Sequence, residues 1–132
     1  MKRLLVTVAI GVAAVVLPAF AHHSFAAEYD MKKPLKITGT VTKVEWLNPH
    51  ARLFVDVKDP SGKVTNWELE LQAPNSLIRS GWTRTSIKPG EIVTVDGYRA
   101  KDGSNLGNAT AITFSDGRKL EGRNPDAPPD AQ

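Results

Sequence analysis

His50-Ala51-Arg52-Leu53-Phe54-Val55-Asp56-Val57-Lys58, then Asp59-Pro60-Ser61-Gly62, then Lys63-Val64-Thr65-Asn66-Trp67-Glu68-Leu69-Glu70-Leu71-Gln72 is the passage that decides the fold. In the first run Ala51, Leu53, Val55 and Val57 alternate with Arg52, Phe54, Asp56 and Lys58, the period-two pattern of a half-buried strand. In the last run Trp67, Leu69 and Leu71 share one face, while Glu68 and Glu70 point the other way. The Asp-Pro-Ser-Gly passage between them is turn chemistry. The whole reads as a β-hairpin.

Working outward, Lys36 to Leu47 is a further strand with a change of phase: Ile37, Gly39 and Val41 lie on one side, Val44 and Trp46 on the other. A phase change inside one long run predicts a bulge or a sharp bend, and Gly39 permits close coiling there. Asn48-Pro49 ends it. Beyond the hairpin, Pro74 to Gly81 reads as a short helix, with Pro at its first turn and Gly at a left-handed stop. Lys88-Pro89-Gly90-Glu91 turns into a strand from Ile92 to Arg99, and a Gly- and Asn-rich loop, Lys101 to Asn108, leads into a last strand from Ala109 to Ser115.

This order predicts an all-β domain: a five-stranded, OB-fold-like Greek-key barrel with a short helix between strands 3 and 4. The bend in strand 1 is what such a barrel needs, because one strand serves both halves of the sheet. A small β-sandwich is the alternative architecture.

The ends read differently. Met1-Lys2-Arg3, the uncharged apolar run Leu4 to Leu17, Pro18 and the small-x-small pattern Ala19-Phe20-Ala21 have the layout of a cleavable secretory signal over residues 1–21. An uncleaved anchor is the competing reading, since Leu4 to Ala21 is just long enough to span a bilayer. Cleavage predicts a periplasmic protein with no stable membrane anchor. Residues 22–35 then form an N-terminal arm, 36–117 the β-barrel domain, and 118–132, with Pro125, Pro128 and Pro129, a disordered tail.

The chain has 132 residues, no Cys and a formal charge of +3, which falls nearly to neutrality once Lys2 and Arg3 leave with the signal. A chain this size supports one domain. Its near-neutral mature form lacks the dense positive field that draws in nucleic acid, so a nucleic-acid partner is not expected. The missing cysteines exclude disulfides, thiol nucleophiles and thiolate metal sites.

All three histidines fall in two places, His22-His23 and His50. Cleavage after Ala21 would put a terminal amine beside two imidazoles, and nitrogen donors so arranged suit copper(II), and less selectively zinc or nickel. A cut after Ala26 would discard both histidines. If the arm folds back, the amine and ring of His22 with the ring of His50 would make a three-nitrogen site resembling a histidine brace, with His23 able to replace either ring. Glu28 and Asp30 would add an oxygen ligand or accept the second ring N–H. The plain alternative is that His22 and His23 are solvated and His50 decorates a loop.

A metal-free reading stands beside this one, in which Arg52, Phe54 and Trp82 on an open barrel face bind a peptide, a glycan or an envelope protein. Trp46 and Trp67 are expected in the core. A catalytic reading is set aside, so no catalytic residue is assigned. No serine sits in a Gly-x-Ser-x-Gly elbow, and Glu68 and Glu70, about 7 Å apart along the strand, more often form a solvated face.

His22-His23-Ser24-Phe25, Gly39-Thr40-Val41, Trp46-Leu47-Asn48-Pro49-His50, Trp67-Glu68-Leu69, Pro74-Asn75, Gly81-Trp82 and Lys88-Pro89-Gly90 together resemble a family of small exported bacterial proteins of unassigned function. The resemblance runs over nearly the whole mature chain to Leu120 and implies export and a small β domain. It implies nothing catalytic. The strand order is also similar to that of exported OB-fold stress proteins, a likeness of fold alone.

Overall fold

The computed structural model describes residues 25–121; the signal region, His22, His23 and residues 122–132 lie outside them. The chain is mostly β, in the order α1 (Phe25–Glu28), β1 (Tyr29–Glu45), β2 (Arg52–Lys58), β3 (Val64–Glu70), α2 (Pro74–Arg79), β4 (Ile92–Ala100), β5 (Leu106–Phe114) and β6 (Lys119–Glu121). The sheet runs β3-β2-β1-β4-β5-β6, and β3 also pairs with β5. The pairings therefore run round a closed circuit. Every ladder is antiparallel except β3 with β5, which is parallel over Glu68 to Glu70 against Leu106 to Asn108.

The hairpin forms as expected, and its register sets Leu53 opposite Leu69 and Arg52 opposite Glu70. Its turn is tied by the Asp59 carboxylate, which accepts from the Ser61 and Lys63 amides at 2.8 and 3.0 Å. The phase change in β1 is also present, as a register shift between Val41 and Lys43 along β2. Gly39 is needed beside it, because a Cβ there would stand 2.2 Å from the Asp56 carbonyl oxygen. Gly97 meets the same constraint on β4, with the Asn108 carbonyl 1.8 Å from any Cβ. Both glycines let strands approach more closely than a side chain would allow.

Alternation along these strands sends Val41, Leu53, Val55, Leu69, Val93, Val95 and Ile112 into one apolar core. Trp67 is buried there as expected, and Trp46 packs half-buried against it. α2 and the turn after it cover this core with Leu77, Trp82 and Ile87. A second, smaller cluster of Phe25, Tyr29 and Ala100, with Tyr98 and Leu106 packed against it, forms where the chain's first described residues lie on the sheet.

Three boundaries differ from the sequence reading by more than two residues. First, β1 begins at Tyr29, so the end of the expected arm is strand: Tyr29 and Asp30 pair with Ala100 and Arg99, Met31 to Lys33 loop out, and pairing resumes at Pro34 opposite Tyr98. The exposed, charged loop looks like a strand breaker in sequence, yet the ladder absorbs it as an irregularity. Second, β5 starts at Leu106 within the expected loop, because β3 supplies its partner there. Third, Lys119 to Glu121 is not tail but a sixth strand, paired with Ala111 to Thr113 of β5.

Candidate functional site

His50 lies just before β2, in the segment where Ala51 exchanges backbone hydrogen bonds with Leu71 and Gln72 beyond the end of β3. That extension of the hairpin ladder brings the His50 ring over Glu70. Its Nδ1 stands 2.8 Å from Glu70 Oε1. A carboxylate only accepts, so a proton shared in this contact belongs to Nδ1, and a neutral ring so protonated carries its lone pair at Nε2. With 42 % of its side chain exposed, the His50 ring is reachable from solvent.

Glu70 itself is buried. Its other oxygen, Oε2, accepts a hydrogen bond from the Tyr29 hydroxyl at 3.0 Å. Tyr29 is held by its neighbours: the Phe25 ring lies 5.3 Å away, centroid to centroid, and Phe25 in turn meets Tyr98 edge-on at 5.7 Å. Burial, and after it the adjacent Glu70 carboxylate, push the Tyr29 phenol well above its ordinary value near 10, so it remains a donor. The result is a chain of polar contacts, a hydrogen bond from Tyr29 to Glu70 and a close His50–Glu70 pair, that ties the start of the described chain to the lone internal histidine.

Asn108 sits directly across the parallel ladder from Glu70. It is buried, and among the described residues its Oδ1 has no hydrogen-bond partner. Lys101 fastens the arm from the side: its amide donates to the Glu28 carbonyl at 2.9 Å, and its ammonium to the Ala26 carbonyl.

The sequence-predicted residues are distributed unevenly around this centre. Glu28 is exposed at the end of α1 and, with Lys101 and Asp102, lines a shallow cavity of about 380 Å³. Asp30 turns to its own loop, accepting from the Lys32 amide at 2.9 Å with Lys33 Nζ 4.0 Å away. The carboxylate that meets the His50 ring is therefore Glu70 rather than Glu28 or Asp30. The expectation that Glu70 belongs to a solvated face is likewise corrected, because Tyr29 and His50 cover it.

Arg52 is exposed but pairs with Glu68 across the hairpin, and Phe54 is half-buried with the Lys43 ammonium 5.1 Å above its ring. Trp82 is not a surface platform. Gly81, at φ +88°, lets the Trp82 amide return to the Leu77 carbonyl at 2.9 Å, which turns the indole into the core with its Nε1–H donating to the Glu121 carbonyl at 3.2 Å. His22 and His23 lie outside the described residues. Among those residues, no three His, Cys, Asp or Glu side chains are grouped as a metal would require, and no helix is long and apolar enough to cross a membrane.

Sequence reasoning missed Glu70, Tyr29 and Asn108. The signal for Glu70 was present in the hairpin: a turn at Asp59 to Gly62 sets Arg52 opposite Glu70, and His50 is the next residue on that face. Tyr29 had no comparable signal, since its partner lies 41 residues away.

A search among curated proteins finds no match. Residues 9–109 match a described family across the arm, the hairpin and the circuit to the first half of β5, and the chain belongs to that family, the family of unknown function DUF6152.

Proposed function

We propose that this is an exported, periplasmic protein that binds one copper ion, or a similar divalent ion, and acts as its carrier or buffer. The ligands are the amine and ring of His22 together with His50, with His23 able to replace either ring. The scaffold is an OB-fold-like Greek-key barrel. The closed β1-β2-β3-β5-β4 circuit and the helix between β3 and β4 support that reading.

The observation that carries the functional reading is the Glu70 contact at His50 Nδ1. A buried carboxylate that takes one ring N–H is the usual outer partner of a metal-ligating histidine, because it fixes the tautomer and aims the other nitrogen outward. The entry of the arm agrees with it. His22 is three residues before Phe25, a span of up to about 10 Å of extended chain, and Phe25 packs on the tyrosine that holds Glu70.

The metal-free module is less well supported, since Trp82 belongs to the core and Arg52 is engaged by Glu68. The test is copper(II) titration of protein that begins at His22, beside the same protein with one Met added before His22 and a His50→Ala variant. One equivalent should bind to the first, and both alterations should weaken it. Equal binding by all three overturns the site, and retention of a peptide or glycan in the presence of a chelator would favour the metal-free module.

A further inference from the structure

Tyr29 occupies an unusual position in this arrangement. Its ring belongs to the small cluster under the arm, and its hydroxyl reaches out of that cluster to Glu70. Immediately after Asp30 the ladder is interrupted by the looped-out Met31 to Lys33, so the segment from Phe25 to Asp30 is a separate short span of pairing rather than part of the continuous strand. Within it, the Tyr29 hydroxyl is the side-chain hydrogen bond that connects the arm to the His50 neighbourhood. Asn108, across the ladder from Glu70, makes no hydrogen bond to it that could take the hydroxyl's place.

We propose that Tyr29 is the positioning residue of the site, and that seating of the arm and capture of the metal are one linked equilibrium. By donating to Glu70 Oε2, Tyr29 holds the carboxylate against which His50 Nδ1 lies, and so restrains the direction of Nε2. Linkage is reciprocal: what favours the seated arm favours the metal, and a bound metal favours the seated arm. This rests on the reading of His50 as a metal ligand.

The Lys32-Lys33 bond supplies an independent readout of seating, since trypsin cuts after lysine but needs several residues on either side of the bond freed from pairing, and the seated pairing of Tyr29, Asp30 and Pro34 flanks it closely. The variant is Tyr29→Phe, which keeps the ring and removes the hydroxyl. Its copper(II) affinity should fall by about ten- to a hundredfold, the usual effect of losing an outer partner of a ligand, and the electron paramagnetic resonance spectrum of its copper should differ from that of the unaltered protein.

Without metal, the fragment beginning at Lys33 should appear about tenfold faster from Tyr29→Phe, the scale of a lost hydrogen bond to a charged group. Copper should slow that cleavage in the unaltered protein and not in His50→Ala. Unchanged affinity and an unchanged spectrum in Tyr29→Phe overturn the positioning role. If the unaltered protein itself takes up no copper, the metal reading fails and the linkage to metal with it; the metal-free cleavage rates then still judge the hold of Tyr29 on the arm, and equal rates overturn that too.

Discussion

The two faces of β3 carry two different kinds of packing. Leu69 looks into the large apolar core with Leu53 and Val55, whereas Glu70, one residue on, lies beneath Tyr29 and His50. The first environment is closed by strand pairing round the circuit and, among the described residues, contains no buried ionisable group. The second is a small aromatic cluster, roofed by a short arm, with a carboxylate and an unpartnered amide oxygen at its edge. Apolar closure holds the fold, and the polar edge of the lesser cluster is where a histidine can be aimed. The buried end of one strand thus divides into an apolar side and a polar side.

The contrast is broken most forcefully from the large core. Leu69→Ala should lower stability by about 4 kcal/mol, because a fully buried leucine in a closed core leaves a cavity that cannot collapse; thermal or urea unfolding measures it. Phe25→Ala should cost less, about 1–2 kcal/mol, although Phe25 is as well buried. The arm's pairing is interrupted at Met31 to Lys33 and its cluster is separate from the main core, so it is expected to lift away as a unit and cap the loss at the free energy with which it docks; hydrogen exchange at the Tyr29 and Asp30 amides should rise while that of β4 and β5 holds. A loss equal to that at Leu69 would mean the two clusters unfold together.

Alkaline titration sharpens the difference further. Burial, with the Glu70 carboxylate adding to it, raises the Tyr29 phenol in the folded protein above its ordinary value near 10. A raised value means the folded state keeps a proton that the unfolded chain releases. The associated stability is therefore complete below about pH 10 and is lost as pH climbs toward the folded value, at up to about 1.4 kcal/mol per pH unit. Tyr29→Phe should lack this decline, as urea midpoints measured from pH 9 to 11 would show. The smallest effect is expected at Phe54, half-buried under Lys43 on the hairpin's outer side. Phe54→Ala should change stability by less than about 1 kcal/mol, and a larger drop in a thermal melt would place that side chain in the core.

Much of the architecture was legible because its signals are local. The period-two runs of β2 and β3, the turn at Asp59 to Gly62, the helix bounded by Pro74 and Gly81 and the bend between Val41 and Val44 each depend on residues close together in the chain. The start of β1 was hidden because Lys32, Lys33 and Pro34 have the look of a linker, and only the partner strand shows that the ladder steps over them. β6 was hidden because three residues are too short for a period to be read.

The site divides in the same way. His50 stood out by its rarity, but Glu70 was read with Glu68 as one exposed face, since nothing in the alternation of β3 reveals that an arm comes down over one glutamate and not the other. Trp82 was placed outside because it follows a glycine in a loop, where the backbone geometry at Gly81 in fact turns it inward.

The parallel pairing of β3 with β5 ends at Asn108, and beyond it the flank of β5 from Ala111 to Thr113 is taken up by β6. Those three residues stand where an unmatched row of amides and carbonyls would otherwise invite a neighbouring molecule to add its own strand, the usual beginning of aggregation. Lys119 and Glu121 put opposite charges at the rim of that flank, and Trp82 fastens it through the Glu121 carbonyl. Three residues from the stretch whose composition looked least structured thereby cover a flank of β5 that would otherwise lie open.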